Sequence, residues 1–241
     1  MRSILRCTAS FAVLAAFAAT AVQAQESDRA TTVDELIVTA QKREQRLQDV
    51  PIVVTSLSQA VLEGAGMRDI KDLQILTPGL TVTSTSNETV TTARIRGVGT
   101  VGDNPGLESS VGVVIDGVYR PRNGVSFGDL GPIQRIEVLK GPQGTLFGKN
   151  TSAGVINILT RSPGFEPEFE GEATYGNYNA YGGSVWLSGP ISEQLAAGLY
   201  LGARQRDGYY DVMTGAGPRT IDNDQDQSFW TVRGQVLFQP N

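Results

Sequence analysis

From residue 165 onward the chain alternates, and that period of two limits what it can fold into. Phe169, Gly171, Ala173 and Tyr175 fall on one face of an extended segment, with Glu170, Glu172 and Thr174 on the other. The pattern recurs in Tyr181, Gly183, Val185 and Leu187, in Leu195, Ala197, Leu199, Leu201 and Ala203, and in Trp230, Val232, Gly234, Val236 and Phe238. Successive side chains of a strand point to opposite faces, so each segment reads as a strand with one apolar and one polar side. A length of about ten residues suits a tilted strand crossing a bilayer. Gly189 to Glu193 is a short connection, whereas Asp207 to Gln227 is a long polar one. Short turns at one end and long loops at the other are the habit of membrane barrels. Tyr175, Tyr178, Tyr181, Tyr209 and Tyr210 gather at the long-loop ends, where an aromatic girdle would lie. A soluble β-sandwich would alternate in the same way, and the pattern alone leaves that open. Membrane barrels need about eight strands at the least and plugged transporters about 22. Four strands therefore predict further strands past residue 241.

The first residues predict export. Arg2 and Arg6 precede an apolar run, Phe11 to Val22, too short to span a bilayer, and Val22-Gln23-Ala24 offers small residues for cleavage. Residues 1–24 read as a signal peptide and Gln25 as the mature start. The single cysteine, Cys7, lies inside that signal, and Leu5-Arg6 ahead of it lacks the small residue of a lipoprotein site. The mature chain then has no thiol and no disulfide. With no histidine anywhere, it also lacks the commonest metal ligand and general base. No Ser-His or Cys-His pair is possible, and no carboxylate sits in a local motif with a nucleophile, so an enzyme is not expected and no cofactor is implied. Loss of Arg2 and Arg6 shifts the formal net charge from −5 to −7, an acidic balance that disfavours nucleic acid as a partner.

Between these ends the chain reads as a small α+β domain. Gln25 to Val33 is polar and expected to be mobile, Asp34 to Ala40 is a short mixed segment, and Lys42 to Gln48 is charged and expected to be helical or unstructured. Pro51 to Ser56 is a β-branched run, predicted as a strand. Ser58 opens a helix that Gly64 and Gly66 close. Asp69 caps a second, with Ile70, Leu73 and Leu76 on one face, stopped at Thr77-Pro78-Gly79. Strands are predicted at Leu80 to Thr83, Ala93 to Val98, Val111 to Ile115, Ile133 to Leu139 (half-buried, by its alternation) and Val155 to Thr160. Asp116-Gly117 is a strong hairpin signal.

Two motifs mislead. Gly97 to Gly102 has the form G-x-G-x-x-G, but Asp103-Asn104-Pro105-Gly106 follows as a turn where a dinucleotide site needs a helix N-terminus. Gly141 to Thr151 suggests a phosphate loop, yet Gln143 stands where the first glycine belongs and Asn150 where magnesium needs a hydroxyl.

Taken together, Ile95-Arg96-Gly97, Val114 to Val118 (VIDGV), Ile133 to Gly148 (IQRIEVLKGPQGTLFG) and Asn150 to Asn157 (NTSAGVIN) resemble the plug of TonB-dependent outer-membrane receptors. Gln134 departs from the family, which usually has an acid there. The resemblance implies an α+β plug domain, a small mixed sheet with short helices, over 49–162. Residues 165–241 are then the first four antiparallel strands of a transmembrane β-barrel. A mobile segment, 25–48, precedes the plug. Asp34, Glu35, Leu36, Ile37, Val38, Thr39 and Ala40 look like the TonB box, a short extended segment able to add as a strand to a partner's sheet edge. Arg96, Arg135, Glu137 and Lys140 are expected to contact the barrel. Thr85, Asn87, Asp103, Asn104, Arg120 and Arg122, at the plug apices, are expected to meet a small extracellular ligand: siderophore-like, cobalamin or saccharide. The implied partners are TonB and outer-membrane lipid. The implied activity is energy-coupled import, this chain being an incomplete part of the receptor. The alternative is a soluble periplasmic plug-like binding module.

Overall fold

A computed structural model describes residues 37–39, 42–67, 70–84, 91–100, 108–121, 129, 131–211, 223–224 and 226–240. Its strands in chain order are β1 (Ile37–Val38), β2 (Gln45–Arg46), β3 (Val53–Ser58), β4 (Leu80–Ser84), β5 (Thr91–Ile95), β6 (Val111–Ile115), β7 (Val118–Arg120), β8 (Ile133–Lys140), β9 (Gly154–Thr160), β10 (Glu168–Gly176), β11 (Ala180–Ser192), β12 (Leu195–Arg206), β13 (Tyr210–Asp211), β14 (Asn223–Asp224) and β15 (Gln227–Phe238). Three short helices are α1 (Gln59–Gly64), α2 (Leu73–Leu76) and α3 (Gly144–Phe147).

The central sheet has the order β3-β8-β9-β6-β7, antiparallel except for β6 beside β9. A parallel pair cannot be joined by a tight turn, and the chain makes that crossover through β7 and β8. Val111 to Ile115 is buried throughout, as are Ile136 to Leu139. Both faces of the sheet are covered, which suits the near-continuous apolar sequence of β6 and β9. On one face Val111, Val113, Ile115, Ile136, Val138, Ile156 and Ile158 pack with Leu62 of α1, Leu73 of α2 and the β4–β5 hairpin. On the other Val114, Leu139 and Val155 pack with Val38 and Val50. The half-buried alternation expected of Ile133 to Leu139 is thereby corrected. The segment around Val38 covers what would otherwise be the solvent face.

Asp116 (φ 47°) and Gly117 (φ 79°) make the hairpin turn, both in the left-handed region that a two-residue primed turn demands. The strand expected over Ala93 to Val98 ends at Ile95, because Arg96 (φ 53°) and Gly97 (φ 78°) form a second such turn, closed by paired backbone hydrogen bonds between Ile95 and Val98. Pro51 to Ser56 shifts to Val53–Ser58. Lys42 to Gln48 contributes β2 and the start of a 3-10 turn, Leu47–Asp49. Ile70–Asp72 is likewise 3-10 before α2; Asp69 lies outside the described residues, as do residues 1–36 with the expected signal peptide.

The second sheet, the wall, is an antiparallel meander in the order β10-β11-β12-β15. Its registers align the apolar stripes: Phe169 opposite Leu187, Leu187 opposite Leu199, and Leu201 opposite Val232. This stripe faces outward, with Phe169 72% exposed, Val236 70% and Trp230 78%. Trp186 and Tyr200, on the opposite face, are buried, Tyr200 against Asp129 and Gly131. β11 runs on to Ser192 with an irregularity at Pro190, so the turn expected at Gly189 to Glu193 shrinks to Glu193-Gln194.

Candidate functional site

Ile37 to Thr39, the described part of the segment expected to couple to a partner, lie against the central sheet. β1 pairs with β2, Ile37 opposite Arg46 and Val38 opposite Gln45. A ladder of two residue pairs is marginal by itself, so side chains must hold it. Val38 is fully buried among Val50, Val114, Leu139 and Val155, a burial that stabilises by about 1.5–3 kcal/mol. Ile37, its neighbour on the other face, is 46% exposed.

The next residue makes the polar contact. Strand alternation puts Glu137 and Asn157, directly opposite one another on β8 and β9, on the same face as Leu139 and Val155. Glu137 is wholly buried. The Thr39 amide donates to its Oε1 at 2.7 Å, and the Thr39 hydroxyl lies 3.2 Å from both carboxylate oxygens. Arg135 Nε donates to Oε1 at 2.9 Å and Asn157 Nδ2 to Oε2 at 3.1 Å. A buried charge survives only with such partners. Thr39 supplies two of them, so this carboxylate is complete only while the segment is docked. Beside Thr39 opens a cavity of about 470 Å³, lined also by Lys42, Arg43, Tyr119 and Phe147. Lys42 Nζ stands 5.5 Å from the centre of the Phe147 ring.

Of the four residues expected to touch the barrel, Arg135 and Glu137 bind one another. Lys140 Nζ donates to the Pro78 carbonyl at 2.8 Å, and burial, then the charge of Arg96, lower its pKa. Arg96 is exposed in its turn, with its Cγ near Gly79. Arg120 ends β7, exposed. Asp34, Glu35, Leu36, Ala40, Thr85, Asn87, Asp103, Asn104 and Arg122 lie outside the described residues.

Other residues join the central lobe to the wall. Arg161 Nη1 donates to Glu168 and Glu170, each at 2.7 Å, and Nη2 lies 3.8 Å from Glu63 of α1. Gln235 donates to Thr160 at 2.9 Å, and Tyr200 donates to Asp129 at 2.8 Å. No local motif marks Asp129 or Thr160. Tyr200 carried a signal: it alternates with Leu199 and Leu201, which assigns it to the inner face.

Residues 46–155 match the family model for the TonB-dependent receptor plug domain. That stretch holds β3, β6, β7 and β8 of the central sheet with Glu137, and it ends in β9 just ahead of Asn157. The chain belongs to the TonB-dependent receptors. It is 33% identical over 188 residues to the pesticin receptor of Yersinia pestis, covering 77% of this chain and 27% of that receptor. It is also 33% identical over 199 residues to the iron-regulated outer membrane virulence protein of Vibrio cholerae, covering 74% of this chain and 29% of that protein. Among solved structures it resembles the ferric yersiniabactin uptake receptor of Yersinia pestis, with TM-score 0.64 and 28% identity, over 78% of this chain and 29% of that one. The chain thus spans under a third of the length of these relatives. The central lobe is the plug, and β10, β11, β12 and β15 are the first barrel strands.

Proposed function

We propose that this chain is the gate and the opening wall of an outer-membrane receptor that imports a ferric siderophore, energised through TonB at residues 34–40. The observation that carries the reading is the docking of Val38 among Val114, Leu139 and Val155 and of Thr39 on Glu137. A segment held by one apolar anchor, a two-pair ladder and one carboxylate can be withdrawn without unfolding the sheet beneath it. Its extended form suits addition to a partner's sheet edge. An outer membrane holds no nucleotide supply and its porins dissipate gradients, so uptake there needs energy passed on by a partner. The names of the relatives, a ferric yersiniabactin uptake receptor and an iron-regulated outer-membrane protein, support iron as the cargo. The exposed apolar stripe supports lipid as the wall's surroundings.

In this reading residues 1–24 direct export, 25–48 carry the coupling segment, 49–162 fill the lumen and 165–241 begin the barrel. The apical residues Thr85, Asn87, Asp103, Asn104, Arg120 and Arg122 meet the ligand with hydroxyl, amide and charged groups. The test is uptake of radiolabelled ferric catecholate, hydroxamate and phenolate chelates by iron-starved cells carrying the whole receptor, with and without the energy-coupling partner. Partner-dependent uptake of one class is expected. Recovery of the protein only in the soluble periplasm would replace the reading with a plug-like binding module.

A further inference from the structure

Two contacts hold the plug in opposite ways. Among its described residues the coupling segment is gripped by a ladder of two residue pairs, the buried Val38 and one carboxylate. The corner at Asp129 and Gly131 is keyed into the wall. Tyr200 of β12 donates to Asp129 Oδ2 at 2.8 Å, Asp129 Oδ1 accepts the Gly131 amide at 3.0 Å, and Thr231 of β15 donates to the Asp129 carbonyl at 3.4 Å. The fit is made from both sides by glycine. Gly131 sits at φ 69° against the Tyr200 ring, where a Cβ would come within 2.8 Å of a ring carbon. On the wall, a Cβ at Gly202 would come within 2.6 Å of Asp129 Oδ2. Tyr200 itself is only 5% exposed. The corner engages two wall strands, 71 and 102 residues away in sequence.

We infer that Asp129 and Gly131 form with Tyr200 and Thr231 a fixed joint, which keeps this corner of the plug on the wall while the coupling segment is drawn away. The inference rests on the proposed import cycle. Tension applied at Val38 loads the short β1–β2 ladder and the Glu137 contact, whereas the joint's contacts share their load across two long paired strands. Tyr200 is thus a plug-positioning residue, and plug displacement during import is confined to the side carrying the coupling segment.

The test uses the whole receptor with any native cysteine beyond this chain replaced by serine; residues 25–241 hold none. Thr160→Cys with Gln235→Cys, a neighbouring plug–wall contact that leaves the joint's own residues in place, is bridged by a short bis-methanethiosulfonate reagent, and Thr39→Cys with Asn157→Cys by the same reagent. Import of the ferric chelate that the unmodified receptor accepts should survive the first bridge within about twofold and stop with the second. Arrest by the first bridge as complete as by the second overturns the joint. A separate readout does not need import: maleimide labelling of Thr39→Cys should rise several-fold when the coupling partner's C-terminal domain is added, while labelling of Gln235→Cys, on the wall where it meets the plug at Thr160, stays unchanged. Equal rises at both sites overturn the joint. Absence of import in the uncross-linked receptor refutes the proposed function and leaves the labelling comparison to decide the joint.

Discussion

The backbone amide of Thr39 donates to the buried carboxylate of Glu137 at 2.7 Å, across a sequence separation of 98 residues. The contact ties strand β8 of the plug sheet to the segment proposed for coupling. Without Thr39, Glu137 keeps Arg135 and Asn157 and loses its backbone donor and the nearest hydroxyl.

Glu137→Gln keeps the shape and removes the charge. Glutamine presents one acceptor and one donor where four donor groups converge, and Arg135 loses its ionic partner. Breaking a buried pair in this way costs about 3–5 kcal/mol. Urea denaturation of this chain should show a loss on that scale, and labelling of a cysteine at position 39 should rise. An unchanged midpoint with unchanged labelling would show that the carboxylate holds nothing.

Val38→Ala tests the apolar half of the latch. It removes two methyl groups from a closed pocket and should cost about 1–2 kcal/mol. The loss should appear as faster amide exchange in β1 and β2, with β8 and β9 unaffected, because the central ladder does not depend on this side chain.

How far the fold was legible in the sequence follows from the range of the interactions. Asp116-Gly117 announced its hairpin because the turn's backbone demand is local. The wall strands announced themselves because one face is apolar along each. Ile133 to Leu139 misled because what buries its second face is a segment nearly a hundred residues upstream. The same distance hides the Thr39–Glu137 contact from any local reading of the sequence. Asp129 was invisible for a similar reason: its partner Tyr200 lies 71 residues on. Gln45 and Arg46 are polar and too few to show a period, and only their pairing with Ile37 and Val38 makes them a strand.

The wall's outward face makes its own prediction. Val232→Arg places a charge on the exposed apolar stripe and should weaken insertion into lipid by about 2–4 kcal/mol near the bilayer midplane. Thr231→Arg, on the inner face, should leave membrane partition intact. Fractionation and urea extraction of the whole receptor distinguish the two. Equal recovery of both variants in the membrane would contradict the assignment of faces.

Glu108 links the approach to β6 with the 149–150 turn. Hydrogen bonds from Lys149 and then Asn150 hold its pKa below the ordinary 4.5. A carboxylate depressed on folding lends its contact above the unfolded value and loses it as pH falls through the folded one. A carbon-13 titration should place the Glu108 midpoint below 4.5, and Lys149→Met should raise it. An identical midpoint in both proteins would remove the contact from the account.

The most direct test of the coupling role is Ile37→Pro in the whole receptor. Ile37 is half-exposed, so its side chain contributes little to the Val38 pocket. Proline deletes the amide that an added strand would use and locks φ. Cells carrying the variant should bind ferric chelate at the surface as the unmodified receptor does and fail to accumulate it. Accumulation at the unmodified rate would contradict the assignment of this segment as the coupling site.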